Sequence, residues 1–311
     1  MKRFANDHPV VAFFVGAYAI TWTLWLPAVF SSDREGIVAG LFLLGVFGPW
    51  LSAALVTRAG GGSAKQWVRE IFKFSIARRW YVIALLFPVA LIAVASVLMA
   101  VLGVDLQTSL LADERLVAFL PTLLFTILIN GGPEEPGWRG FALPRLQETR
   151  SPVRATAILG PLWAFWHLPL LFVAGEDLDH GLAGGEFALL ILWTIIGIAF
   201  GYSVFYTYLW NRTRSVVPAV LLHASFNASN GVFLLIPESE QVGGTYAKIS
   251  IALTGVVLLA AAALVYTTRG RLGLAEGEEP PDSTDAGRIS DTEQGSAQGP
   301  TRDERLERVG S

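Results

Sequence analysis

Eight stretches of this chain are apolar over roughly the ~20 residues that an α-helix needs to cross about 30 Å of hydrocarbon, and that repetition restricts the fold more than any other feature. They fall near residues 9–30, 37–57, 80–102, 116–131, 155–175, 187–210, 216–236 and 249–267. Inside a bilayer the backbone N–H and C=O groups have no water to bond to, so spans of this kind must satisfy themselves as helices. The fold class expected is all-α: a polytopic membrane helix bundle with about eight transmembrane helices. Composition agrees, because 53% hydrophobic residues, 16% charged residues and a mean hydropathy of +0.50 lie outside the range of soluble domains. The first run is long and has no small-residue cleavage site after it, so it reads as a retained helix and not as a signal peptide.

Charge supplies an orientation. If the eight runs alternate, one side receives Lys2, Arg3, Arg58, Lys65, Arg69, Lys73, Arg78, Arg79, Arg139, Arg145, Arg150, Arg154, Arg212, Arg214, Arg269 and Arg271, and the other only Arg34, Arg115 and Lys248. Sixteen cations against three is the asymmetry of cytoplasmic against external loops, which places both termini in the cytoplasm. A prokaryotic cell membrane is the expected location. The net charge of −3 is weighted by an acid-rich tail and gives no support for nucleic acid as a partner; the lipid bilayer is the partner implied. With no cysteine, disulfides, Cys metal sites and Cys nucleophiles are excluded. The expected division is a membrane domain over 1–272, with its motifs within 116–236, and an acidic cytoplasmic tail over 273–311. That tail is too poor in aliphatic residues to order itself. Residues 176–186 read as an acidic, Gly-rich external loop. Between the second and third runs, Trp67, Ile71 and Phe74 alternate with Lys65, Arg69 and Lys73. This pattern fits a short helix lying on an anionic leaflet, or equally a basic loop.

Ionisable groups within membrane helices are costly and mark functional sites. Of four histidines, His167 and His223 fall inside runs, while His8 and His180 fall at the amino terminus and in a loop. Glu134, Glu135 and Arg139 follow the fourth run directly. Gly131, Gly132 and Pro133 should end that helix, and Pro136 disfavours helical geometry at Glu135. The carboxylates are thus expected at a break, near the start of the next helical stretch. If helix resumes there, Glu135 and Arg139 share a face and pair, leaving Glu134 free for chemistry. Trp163 and His167 lie one turn apart, with Pro169 breaking the ladder beyond; His223 and Asn227 also share a face, with Asn230 close by. Two mechanisms fit these residues. In one, Glu134 and His167 activate water while His223 and Asn227 hold the oxyanion. In the other, Glu134, His167 and His223 bind a divalent metal such as zinc, which activates the water. No HExxH, GxSG or GxGD motif occurs; Ser203 follows Gly201-Tyr202, but Val204 stands where a second glycine is needed.

These segments resemble the CPBP family of intramembrane proteases, which includes the CAAX prenyl endopeptidases and bacteriocin-processing (Abi) proteins. Glu134, Glu135 and Arg139 match its EExxxR motif, continued by Gly140 and Phe141. Trp163 and His167 match FxxxH with tryptophan in place of phenylalanine, and His223 and Asn227 match HxxxN. The resemblance covers roughly 116–236, and its force lies in the order of the motifs, since each alone is weak. It implies an eight-helix membrane endopeptidase, usually described as a metalloprotease, whose site faces the cytoplasm and whose substrate is a membrane-associated protein or peptide. Pro136 stands where an apolar residue is common and should shift the local kink. From other classes, a non-catalytic protein for bacteriocin immunity or partner binding, and a proton-coupled transporter using the same residues as a relay, remain as rivals. The transporter is disfavoured by the absence of an internal repeat.

Overall fold

A computed structural model describes residues 2–31, 36–107, 113–170, 184–233, 235–236 and 243–275. The acidic tail from 276 and most of the loop 176–186 lie outside these residues. Every regular element among them is helical. In chain order the principal helices are α1 (Lys2–Asp7), α2 (Pro9–Phe30), α3 (Ile37–Gly45), α4 (Gly48–Ala59), α5 (Ala64–Ile71), α6 (Arg78–Val101) and α7 (Asp113–Leu128). After a broken segment come α8 (Pro152–Trp166), α9 (Gly184–Ile196), α10 (Ser203–Thr213), α11 (Val217–Phe233) and α12 (Gly243–Thr267).

The protein is an all-α polytopic membrane bundle, but five helical stretches, not eight, are long and apolar enough to cross a bilayer by themselves. They are Pro9–Pro27, Arg78–Val101, Leu116–Gln147, Ala188–Thr213 and Gly243–Thr267; α3 and α4, bent by 53° where they meet, make a sixth if counted as one span. The shortfall falls on α8 and α11, described as 15 and 17 residues long. These are the helices that bring His167 and His223. Helix α11 is packed between α6 and α7, and α8 against the π-helical turn that joins α9 to α10. Surrounded by protein, neither needs a full apolar circumference.

The sequence places the glutamates after the fourth span, at the slab edge. Instead that span runs on to Gln147, through a 3-10 turn (Gly132–Glu134), one α turn (Glu135–Gly137), a π turn (Trp138–Ala142) and a last α turn (Leu143–Gln147). Its residues 131–143 are all buried. The prolines explain why the ladder changes pitch instead of stopping. Pro136 and Pro144 donate no backbone hydrogen bond, and the chain absorbs each gap locally by tightening or widening the helix. Arg139, counted above as a loop cation, is 1% exposed. Removing it from the count expected for eight alternating runs leaves fifteen cations against three.

Helix α5 forms over part of the predicted amphipathic stretch, capped by the Ser63 hydroxyl on the Gln66 N–H. Its apolar face does not lie on lipid. Trp67 and Ile71 are buried in the protein, and Trp67 Nε1 donates to the Gly140 carbonyl at 3.1 Å. That carbonyl is free because Pro144, four residues on, has no N–H to give it. Gly140 is small for a matching reason: a Cβ there would lie 2.7 Å from Ile71 Cδ1. The Ile71 carbonyl then accepts from the Val216 N–H at 2.8 Å, just before α11. One short helix thus ties the glutamate segment to the start of the His223 helix. Lys65 and Arg69 remain exposed on its outer face, as does Phe74 beyond it.

Candidate active site

Glu134 and Glu135 are neighbours in sequence and point to different partners. Glu134 Oε2 accepts from Trp163 Nε1 at 2.9 Å and lies 3.7 Å from His167 Nε2. It is therefore not free, as the sequence implies, but held by an indole. Glu135 meets Arg139 Nη1 at 3.2 Å through Oε1 and 3.1 Å through Oε2, the i,i+4 pair the spacing predicts. Its Oε1 also lies 2.7 Å from His223 Nδ1. Glu134, Glu135 and Arg139 are 4%, 0% and 1% exposed, so these contacts are buried.

Each histidine is oriented by one ring nitrogen. His167 Nδ1 lies 2.8 Å from the Trp163 carbonyl. A carbonyl can only accept, so Nδ1 carries the proton; in the neutral ring Nε2 then turns its lone pair toward Glu134. The residue sits at a break, immediately after α8 ends at Trp166 and before the helical residues 168–170; the rest of the run expected to 175 lies outside the described residues. Pro169 removes the donor that would continue the ladder. The carbonyl of Trp166, orphaned by that ending, accepts from Trp22 Nε1 at 3.0 Å, and Tyr18 donates its hydroxyl to Leu162 O. Helix α2 therefore fixes where α8 stops and where His167 points. His223 gives Nδ1–H to the Glu135 carboxylate, the carboxylate–histidine arrangement that fixes an imidazole's tautomer and ring plane.

Two aromatic rings complete the support. The Arg139 guanidinium lies 4.1 Å from the ring centroids of both Trp163 and Tyr206, a cation clamped between two π faces. Sequence reading did not single out Tyr206, and no pattern around it marks it. Trp163 enters the sequence reading as an aromatic swap one turn from His167; its indole N–H, which phenylalanine lacks, is the signal for its bond to Glu134.

Gly131 was read only as a helix breaker. Its φ is +110°, and a Cβ there would lie 2.7 Å from His223 Cδ2, 2.8 Å from His223 Nε2 and 3.2 Å from Asn227 Nδ2. A side chain is excluded by conformation and by space at once. The notch so left is where the nitrogens of His223 and Asn227 converge. Asn227 Nδ2 lies 3.5 Å from the Asn130 carbonyl and is otherwise open to a cavity. That cavity, about 440 Å³, is lined by Glu134, His167, His223, Asn130, Asn227 and Asn230 and also by apolar residues such as Trp25, Phe42 and Val46. Its size is that of small-molecule and peptide side-chain sites. Among the described residues no three His, Cys, Asp or Glu side chains are grouped closely enough to hold a metal ion. Glu134, His167 and His223 are brought to one cavity but not into a ligand set, so no step below is routed through a metal.

The site is a polar centre buried in an apolar membrane helix bundle and open to one cavity. A protein-family model described as Type II CAAX prenyl endopeptidase Rce1-like matches residues 116–229. CAAX prenyl protease 2 of Methanococcus maripaludis is 26% identical over 270 residues, covering 81% of this chain and 92% of that protein. Together with the three motifs in order, these matches make the chain similar to the CPBP family of CAAX proteases and bacteriocin-processing proteins.

Proposed function

We propose that this protein is an intramembrane endopeptidase that hydrolyses a peptide bond of a membrane-associated protein or peptide, with Glu134 and His167 activating water. The observation that carries the proposal is the 3.7 Å separation of Glu134 Oε2 and His167 Nε2, with the other His167 nitrogen committed to the Trp163 carbonyl. That gap is too long for a direct hydrogen bond and short enough for both groups to touch one water. Both present lone pairs to it. Glu134 takes a proton from the water as its oxygen attacks the scissile carbonyl carbon, while His167 accepts the second hydrogen bond and fixes the water's orientation. The oxyanion that forms is placed beside Gly131, where Asn227 Nδ2 and, when the ring carries both protons, His223 Nε2–H donate to it. Collapse breaks the C–N bond, and the proton held by Glu134 passes to the leaving amine.

The apolar lining by Trp25, Phe42 and Val46 suits a substrate whose residues flanking the cleaved bond are apolar or lipid-bearing, and the relative is named a CAAX prenyl protease. The cationic loops support a site that opens to the cytoplasmic side. The test is cleavage of lipid-modified and unmodified peptides by purified protein in detergent. Glu134→Ala and His167→Ala should each lower cleavage by at least about a hundredfold, and unchanged cleavage in both overturns the assignment. Metal analysis with a chelator titration on the same preparation separates this route from a metal-dependent one.

A further inference from the structure

A second cavity, of about 320 Å³, shares no residue with the first. Four helices wall it: α6 with Ile83 and Phe87, α10 with Phe205 and Leu209, α11 with Leu222, and α12 with Ala260, Ala263 and Leu264. Tyr208 and Thr267 bring the only side-chain hydroxyls to it. Two cations stand at that same end. Arg79 lies one turn before Ile83 on the same face of α6, and Arg212 one turn after Tyr208 on α10. Their guanidinium carbons lie 5.1 Å and 5.8 Å from the centroid of one ring, that of Trp80, which also meets Tyr208 edge-on at 6.0 Å. Both arginines are exposed, and among the described residues neither is in an ion pair.

We propose that this groove binds one anionic phospholipid, with an acyl chain between the four helices and the phosphate against Arg79 and Arg212. Hydrocarbon walls alone would take any lipid. The paired cations select charge, because a zwitterionic headgroup would bring its own ammonium toward two guanidiniums. Both cations lie against the one Trp80 ring, and tryptophan is a residue that favours headgroup level. Basic pockets between membrane helices bind anionic headgroups in this way. The inference is independent of the proteolytic reading, since no residue of the first cavity takes part.

Native mass spectrometry of the full chain in non-ionic detergent, titrated with phosphatidylglycerol or with phosphatidylcholine of the same acyl chains, tests it. The wild type should hold phosphatidylglycerol at least about tenfold more tightly. Each arginine lost should weaken that binding about fivefold, so Arg79→Gln with Arg212→Gln should remove the preference and leave phosphatidylcholine binding unchanged. Ala263→Trp, which fills the groove from an exposed position, should lower binding of both lipids. Equal affinity of the wild type for the two lipids overturns the proposal, as does an unchanged preference in the double variant. So does a preference that emerges only when the chain is ended after Ala275, which would assign the cations to the chain's own Glu276, Glu278 and Glu279.

Discussion

Glu135→Gln separates what the carboxylate does for the fold from what it does for His223. The side chain is 0% exposed and bonds both the Arg139 guanidinium and the His223 imidazole. Neutralising it strands a guanidinium that is 1% exposed, and breaking a buried pair from one side costs about 3–5 kcal/mol. Trp163 and Tyr206 still clamp the cation at 4.1 Å, which places the loss near the lower end, at about 3 kcal/mol. Adding Arg139→Met removes the stranded charge while keeping apolar volume. The double variant should then be about 2 kcal/mol more stable than the sum of the two single losses implies. Equilibrium unfolding in mixed detergent micelles measures all four proteins of the cycle. Cleavage should behave differently: in both Glu135 variants His223 has lost its orienting carboxylate, and turnover should fall about 10–100-fold whether or not stability returns. Single losses that add to within about 0.5 kcal/mol, or a Glu135→Gln protein with unchanged turnover, would refute the reasoning.

Three further outcomes follow from the same geometry. Trp163→Phe keeps a ring against Arg139 but deletes the donor to Glu134; a hydrogen bond to a charged group is worth about 1.5–3 kcal/mol, so kcat should fall about tenfold or more with KM nearly unchanged, read from steady-state cleavage. Gly131→Ala puts a Cβ into the notch beside His223 and Asn227 at a φ of +110° and should lose most turnover at a stability cost of about 1–3 kcal/mol, whereas full activity would show that the notch is not used. Trp67→Phe leaves the Gly140 carbonyl without its indole donor and should cost about 1 kcal/mol, checked by unfolding, with Arg69→Gln on the exposed face of the same helix as the neutral comparison.

The sequence by itself determined the solvent, the helical fold class and the families of residues that matter. Apolar run length and charge asymmetry are local or additive properties, and a broken span still counts as a span. The i,i+4 pairing of Glu135 with Arg139 was legible for the same reason, because helix geometry alone sets it. What the sequence misplaced lay at the breaks. A proline-rich segment can leave a helix or change its pitch, and whether Gly131 to Gln147 ends or continues a span depends on Trp67 and Ile71 being there to cover it. Only the tertiary structure decided the partners of each carboxylate. Glu135 meets a histidine 88 positions away and Glu134 an indole 29 positions away, and no periodicity encodes contacts between separate helices. The histidine tautomers follow from those contacts as well: His167 takes its proton arrangement from the Trp163 carbonyl and His223 from Glu135. The residue types needed for hydrolysis are written in the chain, but which face of each imidazole meets the cavity is settled by packing.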